Sequence, residues 1–231
     1  PSHPELLDWL AGWFQQNNYS LKSLHRLIVT SMTYRQSSAS RPDSLGRDRD
    51  NRLLWRFAPK RLEGEAVRDS LLQAAGMLNT QQSGPSYEDV KEIHFNAGRY
   101  YNPIEVKGPK FDRRTIYRFS PRGERDAILD TFDCPDPSAT APTRAVTTTP
   151  LQALSLSNNV FVWRMADGLA NRVRKEAGEA PLGQARRAWQ LSLGREPDEM
   201  ERSLAAAMIK KHGLSSLCRA LFNSSEFVVI E

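Results

Sequence analysis

The stretch Thr149–Lys175, TPLQALSLSNNVFVWRMADGLANRVRK, decides the fold class. A threonine followed at once by proline and three positions on by glutamine is the T-x-x-Q form of a capping box. Proline is tolerated there because the first helical N–H groups have no intrahelical partner, and the glutamine side chain can reach back to the cap. Leu151, Leu154, Val162, Met165, Leu169 and Val173 then recur at helical spacing, which predicts the longest helix of the chain, running to about Lys175.

Helical patterning extends in both directions from this core. Leu182–Leu193, Asp198–His212 and Leu214–Phe222 read as three shorter helices, separated by Gly194 with Pro197 and by Gly213. NSSEFVVIE then ends the chain as a turn and a short extended tail. Near the start, Leu6, Leu7, Leu10, Trp13 and Phe14 mark a core-facing helix over Pro4–Gln16. A second stripe, Leu21, Leu24, Leu27 and Ile28, follows the cap residue Ser20, so an antiparallel helical hairpin is expected. Gln36–Asn51 has no apolar period and reads as a loop. A third helix is expected over Lys60–Ala75, with Arg61, Glu65 and Arg68 placed to pair along its surface and Gly76 as its stop.

Between Met77 and Pro121 glycine and proline recur among scattered aromatics, the mark of irregular or β structure. The clearest strand there is Arg113–Phe119, where Thr115, Tyr117 and Phe119 alternate with Ile116 and Arg118, and its arginines should face solvent or acidic partners. The fold expected is mainly α. It is a bundle-like single domain over 1–231, with a small β or irregular insertion around residues 77–121. Residues 1–76 are helical, 77–148 irregular or β, and 149–226 helical.

Composition narrows the functional classes. With 39% hydrophobic and 26% charged residues in a 231-residue chain, the protein has the makings of an ordinary globular core. Its net charge of +5 arises from 32 basic residues interleaved with 27 acidic ones, not from a basic tract, so nucleic-acid binding is not expected. No run is apolar enough to span a bilayer, and the first residues, PSHPELLDWLAGWF, lack the pattern of a signal peptide. The chain opens directly on a helical pattern and reads as a C-terminal piece of something longer. Cys134 and Cys218 are too far apart for a CxxC pair or a CxxCH haem site within this chain; one disulfide is conceivable in an exported protein, and Cys218 reads as a small buried apolar residue. His3, His25, His94 and His212 show no zinc-binding spacing, and no metal site is assigned. Nucleophile-elbow, dinucleotide and P-loop patterns are absent.

The candidate sites gather in and around Phe132–Leu154, FDCPDPSATAPTRAVTTTPLQAL. Asp130, Asp133 and Asp136 recur every three residues, a spacing that suits a divalent cation or an acid–base pair but lacks the glycine and final glutamate of an EF-hand loop. The stronger expectation is structural: these aspartates cap turns beside Pro135 and Pro137 and pair with Arg113, Arg114 or Arg144. Asp133, Asp136, Arg114 and Arg144 are therefore the candidate polar cluster. Thr147, Thr148 and Thr149 stand just ahead of a helix start and are a candidate site for an anion such as a carboxylate, sulfate or uronic acid. Tyr100, Tyr101, Tyr117 and Phe119 suit either a sugar-stacking platform or ordinary core packing.

Six ordered segments carry a resemblance: SHPELLDWLA, LKSLHRLIVTSMTYRQS, NRLLWRFAPKRLEGEAVRDSLL, RRTIYRF, FDCPDPSATAPTRAVTTTPLQAL and the LGREP…LCRALFNSSEF ending. Together they resemble the first planctomycete-specific domain family, a C-terminal domain of unknown function in large bacterial proteins. The middle, QQSGPSYEDVKEIHFNAGRYYNPIEV, departs from that family's pattern. The resemblance implies an exported protein, periplasmic or at the cell surface. Any haem would sit in a separate upstream cytochrome-c-like module, with no cofactor in this chain. The family carries no established activity, and the role expected for this chain is a non-catalytic interaction or scaffold module whose partners are other domains of the same polypeptide, with carbohydrate or another exported protein as further candidates. The rival reading is part of a redox or carbohydrate-processing enzyme with a pocket near Asp133, Asp136 and Arg144.

Overall fold

A computed structural model describes residues 1–230, and the fold is mainly α: ten helices against two small two-stranded sheets. The chain forms two compact units, Pro1–Lys60 with Ile230 and Arg61–Val229. Among the described residues no helix is long and apolar enough to cross a membrane.

The first unit holds α1 (Pro4–Gln16), α2 (Leu21–Thr30) and α3 (Pro42–Arg47). Pro4 occupies the first turn of α1, where no N–H is missed. The chain reverses through Asn18 and Tyr19, both at φ 54°, and Ser20 then caps α2 by accepting from the Ser23 amide at 3.3 Å. The segment expected as a loop contains α3. It continues into a turn organised by Asp48, whose carboxylate accepts from the Arg52 and Leu53 amides at 2.9 and 2.7 Å. The expectation that α1 faces a core is overturned: no residue between 1 and 60 is buried.

The core lies wholly in the second unit, built around α7 (Val160–Ala177), where Val162, Met165, Ala166, Leu169, Ala170 and Val173 are all fully buried. Against this stripe pack α4 (Gly64–Ala74), α8 (Pro181–Leu193) and α10 (Leu214–Phe222), with α9 (Glu199–His212) covering α8 and α10. The expected long helix is two helices. α6 (Pro150–Asn158) ends at Asn159, which is extended at φ −72°, ψ 129° and whose side chain accepts from the Phe161 amide at 2.8 Å to start α7. Asparagine offers the backbone a local bond that competes with the helical ladder, and at this position the competitor wins. Because the break turns α6 away from the α7 stripe, Leu151 and Leu154 are exposed and Leu156 is the buried leucine instead.

The middle contains a hairpin, β1 (Val90–Phe95) antiparallel to β2 (Gly98–Pro103), turned by Asn96 and Ala97, both with positive φ. The strand expected at Arg113–Phe119 is not formed. Thr115–Tyr117 is a single 3-10 turn, and only isolated bridges, Asn79 to Arg113 and Tyr87 to Arg118, flank it. α5 (Ala127–Thr131) follows, capped by Asp126, which accepts from the Ile128 and Leu129 amides.

Two expected outcomes follow from this packing. α4 and α5 approach so closely that a Cβ on Gly64 would lie 3.1 Å from the Leu129 carbonyl oxygen, whereas a Cβ on Gly12 in α1 would touch nothing within 4 Å. Gly64→Ala should therefore destabilise the protein by about 1–3 kcal/mol, and Gly12→Ala should not destabilise it at all, both read by urea unfolding followed by circular dichroism. At the start of α9, Arg195 and then the Asp198 amide hold the Glu201 carboxyl at about 2, below its ordinary value of 4.5. A depressed folded value stabilises above the ordinary value, and that contribution is lost as pH falls from 4.5 towards 2. Glu201→Gln should flatten the acid limb of the unfolding midpoint across that window, and an unchanged limb would contradict the linkage.

Candidate functional site

The residues singled out in the sequence are held by separate partners. Asp133, at φ 61°, accepts from the Thr147 amide at 2.7 Å and from the Thr147 hydroxyl at 2.9 Å. Asp130 and Asp136 share Arg125, and Ser138's amide, then Arg125, hold the Asp136 carboxyl below the usual carboxylate range. Arg144 lies across the two oxygens of Glu65 at 2.8 and 2.9 Å, and Arg114 contacts Asp69 at 3.3 Å. Asp133, Asp136, Arg114 and Arg144 therefore do not converge on one another. The cavity beside Asp136, lined also by Asp130, Arg125 and Cys134, has a volume of about 30 Å³, room for one water.

The threonine run is likewise engaged. Thr147 is taken by Asp133, Thr148 accepts from Arg61 at 3.3 Å, and the Thr149 amide donates to Gln152 Oε1 at 3.2 Å, the reach-back predicted for the capping box. Gln152 is 2% exposed and also donates to the Thr131 and Thr147 carbonyls, so it ties the loop to α6. Tyr100 is exposed on the outer face of the hairpin, whereas Tyr101 stacks edge-on against Phe119 at 6.1 Å and Tyr117 lies under Arg113 at 4.0 Å. No common platform results. Both cysteines are free thiols, and burial pushes Cys134 up to about 11 and Cys218 to about 12. Among the described residues no group of three or more His, Cys, Asp or Glu side chains is placed to hold a metal.

The polar residues that do converge come from elsewhere. Arg68 of α4, at 7% exposure, donates to the carbonyls of Phe111 and Arg113 at 3.0 Å each and to the Thr115 hydroxyl at 3.3 Å. Its neighbour Asp69 accepts from both the amide and the hydroxyl of Thr115 at 2.7 Å. From the opposite side Arg164 of α7 forks onto Asp112 at 2.7 and 3.0 Å. Arg118 is buried between Asp89 at 2.8 Å and Glu124 at 3.1 Å.

Beside this assembly opens a pocket of about 190 Å³, lined by Arg68, Asp89, Phe111, Asp126, Phe161 and Arg164. Two buried polar atoms near it have no partner, Asp89 Oδ1 and the Tyr87 hydroxyl, and burial pushes that phenol up to about 12. Sequence reasoning placed Arg68 among surface pairs and passed over Asp89, Asp112 and Arg164. A signal was present: Arg68 stands on the same helical face as Val67, Leu71 and Leu72, where an unpaired charge demands a buried partner.

A family model described as PSD1, protein of unknown function (DUF1553), matches residues 1–209, and the chain belongs to that family. No curated protein and no solved structure matches it.

The buried and exposed ion pairs should separate in a mutational test. Asp112→Asn leaves Arg164 without its forked carboxylate, and should cost about 3–5 kcal/mol. Glu65→Gln weakens a half-exposed pair and should cost under about 1 kcal/mol. Equal losses in chemical denaturation would contradict the placement of Asp112.

Proposed function

Taking that family membership as the premise, we propose that the chain is a non-catalytic interaction or scaffold module of a larger exported protein whose haem resides in a separate cytochrome-c-like domain. The resemblance of the six sequence segments supports the setting, and the burial contrast between the two units supports the role. Residues 1–60 contain no buried side chain, although α1 and α2 carry Leu6, Leu7, Trp9, Leu21, Ile28 and Val29 exposed. Ordering a chain costs about 1–2 kcal/mol per residue, normally offset by apolar burial. A domain of roughly 60 residues is marginal even with a core. Helices that leave such side chains in water are suited to meet a partner surface through them.

Another domain of the same polypeptide fits as that partner, because a covalent link raises the local concentration to about millimolar and lets a weak helical contact hold. An enzyme pocket built from Asp133, Asp136 and Arg144 finds no support, since those side chains are engaged with Thr147, Arg125 and Glu65 respectively.

Hydrogen exchange tests the proposal. In the chain alone, the amides of α1 and α2 should exchange nearly as fast as unprotected peptide while those of α7 and α10 persist; in the longer protein, α1 and α2 should gain at least about tenfold protection. Equal protection of α2 and α7 in the isolated chain, or no gain in the longer protein, would sink the reading.

A further inference from the structure

We propose that the pocket at the amino-terminal end of α7 binds a small molecule with a single carboxylate that also carries hydrogen-bond donors, the class of hydroxy acids, sugar acids and zwitterionic amino acids. This goes beyond the module reading and does not depend on it, because the pocket lies wholly within the unit Arg61–Val229.

The anionic half of the ligand is specified by Arg68, since Arg164 in the same lining is already forked onto Asp112. Arg68 is more than nine-tenths buried, yet all three of its hydrogen bonds end on neutral oxygens, two carbonyls and a hydroxyl. Its guanidinium faces the rings of Phe161 and Tyr87, at 5.1 and 5.5 Å, and among the described residues no carboxylate pairs with it directly, although Asp89 and Asp126 share its pocket. A buried cation without a direct partner charge is costly, and a ligand carboxylate supplies one. The field there favours an anion further, because α7, 18 residues long, begins at Val160 on the pocket wall and directs its positive end into it.

The donor half is specified by Asp89. Its Oδ2 is held by Arg118 at 2.8 Å, while Oδ1 is buried without a partner. An acceptor in that condition is satisfied by a ligand O–H or N–H. Asp126 and Glu105, the latter paired with Lys107 at 3.0 Å, add two further carboxylates to the same lining, which disfavours a multiply charged anion such as phosphate. A metal ion is disfavoured by the two guanidinium groups, and a neutral polyol would leave Arg68 uncompensated.

Size and walls agree with this chemistry. An apolar cavity of about 150 Å³ accommodates one benzene ring, so about 190 Å³ holds a single six-membered ring or a short branched acid. Phe111 and Phe161 offer ring surfaces to its C–H groups.

The test is a titration of the intact chain followed by amide chemical shifts, with D-glucuronate and serine as the two donor-bearing acids and acetate, glucose and inorganic phosphate as probes of the separate halves. At least one of the first two should shift the Asn159–Phe161 amides saturably, with a Kd about tenfold or more below those of acetate and glucose. Which of them does so distinguishes hydroxyl from ammonium donors. Val160 is 55% exposed at the pocket wall, so Val160→Trp should fill the entrance and weaken binding about tenfold without lowering the unfolding midpoint. Asp89→Asn, confirmed as folded by circular dichroism because Asp89 also pairs with the buried Arg118, should weaken the donor-bearing acid relative to acetate. If neither acid binds saturably, if acetate or phosphate binds as tightly, or if Val160→Trp has no effect in a folded protein, the proposal is overturned and Arg68 is a structural clamp alone.

Discussion

The segment Phe111–Thr115 is backbone that has neither helix nor sheet to satisfy it, and the way its polar groups are met organises the second unit. Buried amides and carbonyls must find partners, or each costs about as much as a lost hydrogen bond. Here the partners are side chains from two helices. Arg68 and Asp69 on α4 take the carbonyls of Phe111 and Arg113 and the amide of Thr115, while Arg164 on α7 takes the side chain of Asp112 between them. The irregular middle is thus fastened on alternate residues to the two helices that meet in the core, and Asn79 completes the fastening by donating to the Asp112 carbonyl at 2.8 Å.

Arginine suits this task because its planar fork presents several donors in fixed directions, where lysine offers a mobile point charge. The same use recurs where α4 ends. Arg172 of α7 donates to the carbonyls of Gln73 and Ala74 in the last turn of α4, and its side chain lies against Gly76, at φ 70°, where a Cβ would meet the Arg172 Cδ at 3.0 Å. Arg195 instead joins two carboxylates, that of Glu201 in the first turn of α9 and that of Glu226. In each case one guanidinium bridges two separate elements, so stability in this unit rests on directed hydrogen bonds as well as on the apolar stripe of α7.

This explains which parts of the fold were legible in the sequence. Helix starts such as Thr149-Pro150-x-Gln152, Asp198-x-x-Glu201 and Ser20 were readable because capping is a contact over three residues. The break at Asn159 was present in the text as Asn158-Asn159 but was outvoted by an apolar period that continued across it. The strand expected at Arg113–Phe119 failed for a different reason. Alternation there reflected a burial pattern imposed by Asp69, Arg68 and Tyr87, which lie tens of residues away, and period two does not distinguish that from a strand. Asp130, Asp133 and Asp136 misled in the same manner: regular spacing suggested one cluster, but the positive φ of Asp133 at the end of α5 turns its carboxylate to Thr147 and leaves the other two with Arg125.

Arg68 joins the stability argument to the binding argument. Its donors already fix Phe111, Arg113 and Thr115, and hydrogen bonds strengthen one another when they share a polarised group in a region of low dielectric. A carboxylate drawn to the pocket face of the same guanidinium therefore tightens the fastening of Phe111–Thr115 to α4. The opposite wall transmits in parallel: Asp89 is bound to Arg118, and Arg118 to Glu124, so a donor placed on Asp89 Oδ1 acts on the turn that leads into α5. On the proposed binding, ligand occupancy and the order of the irregular middle are linked, because Arg68 and Asp89, the groups that would hold the ligand, are also the ones that fasten that segment.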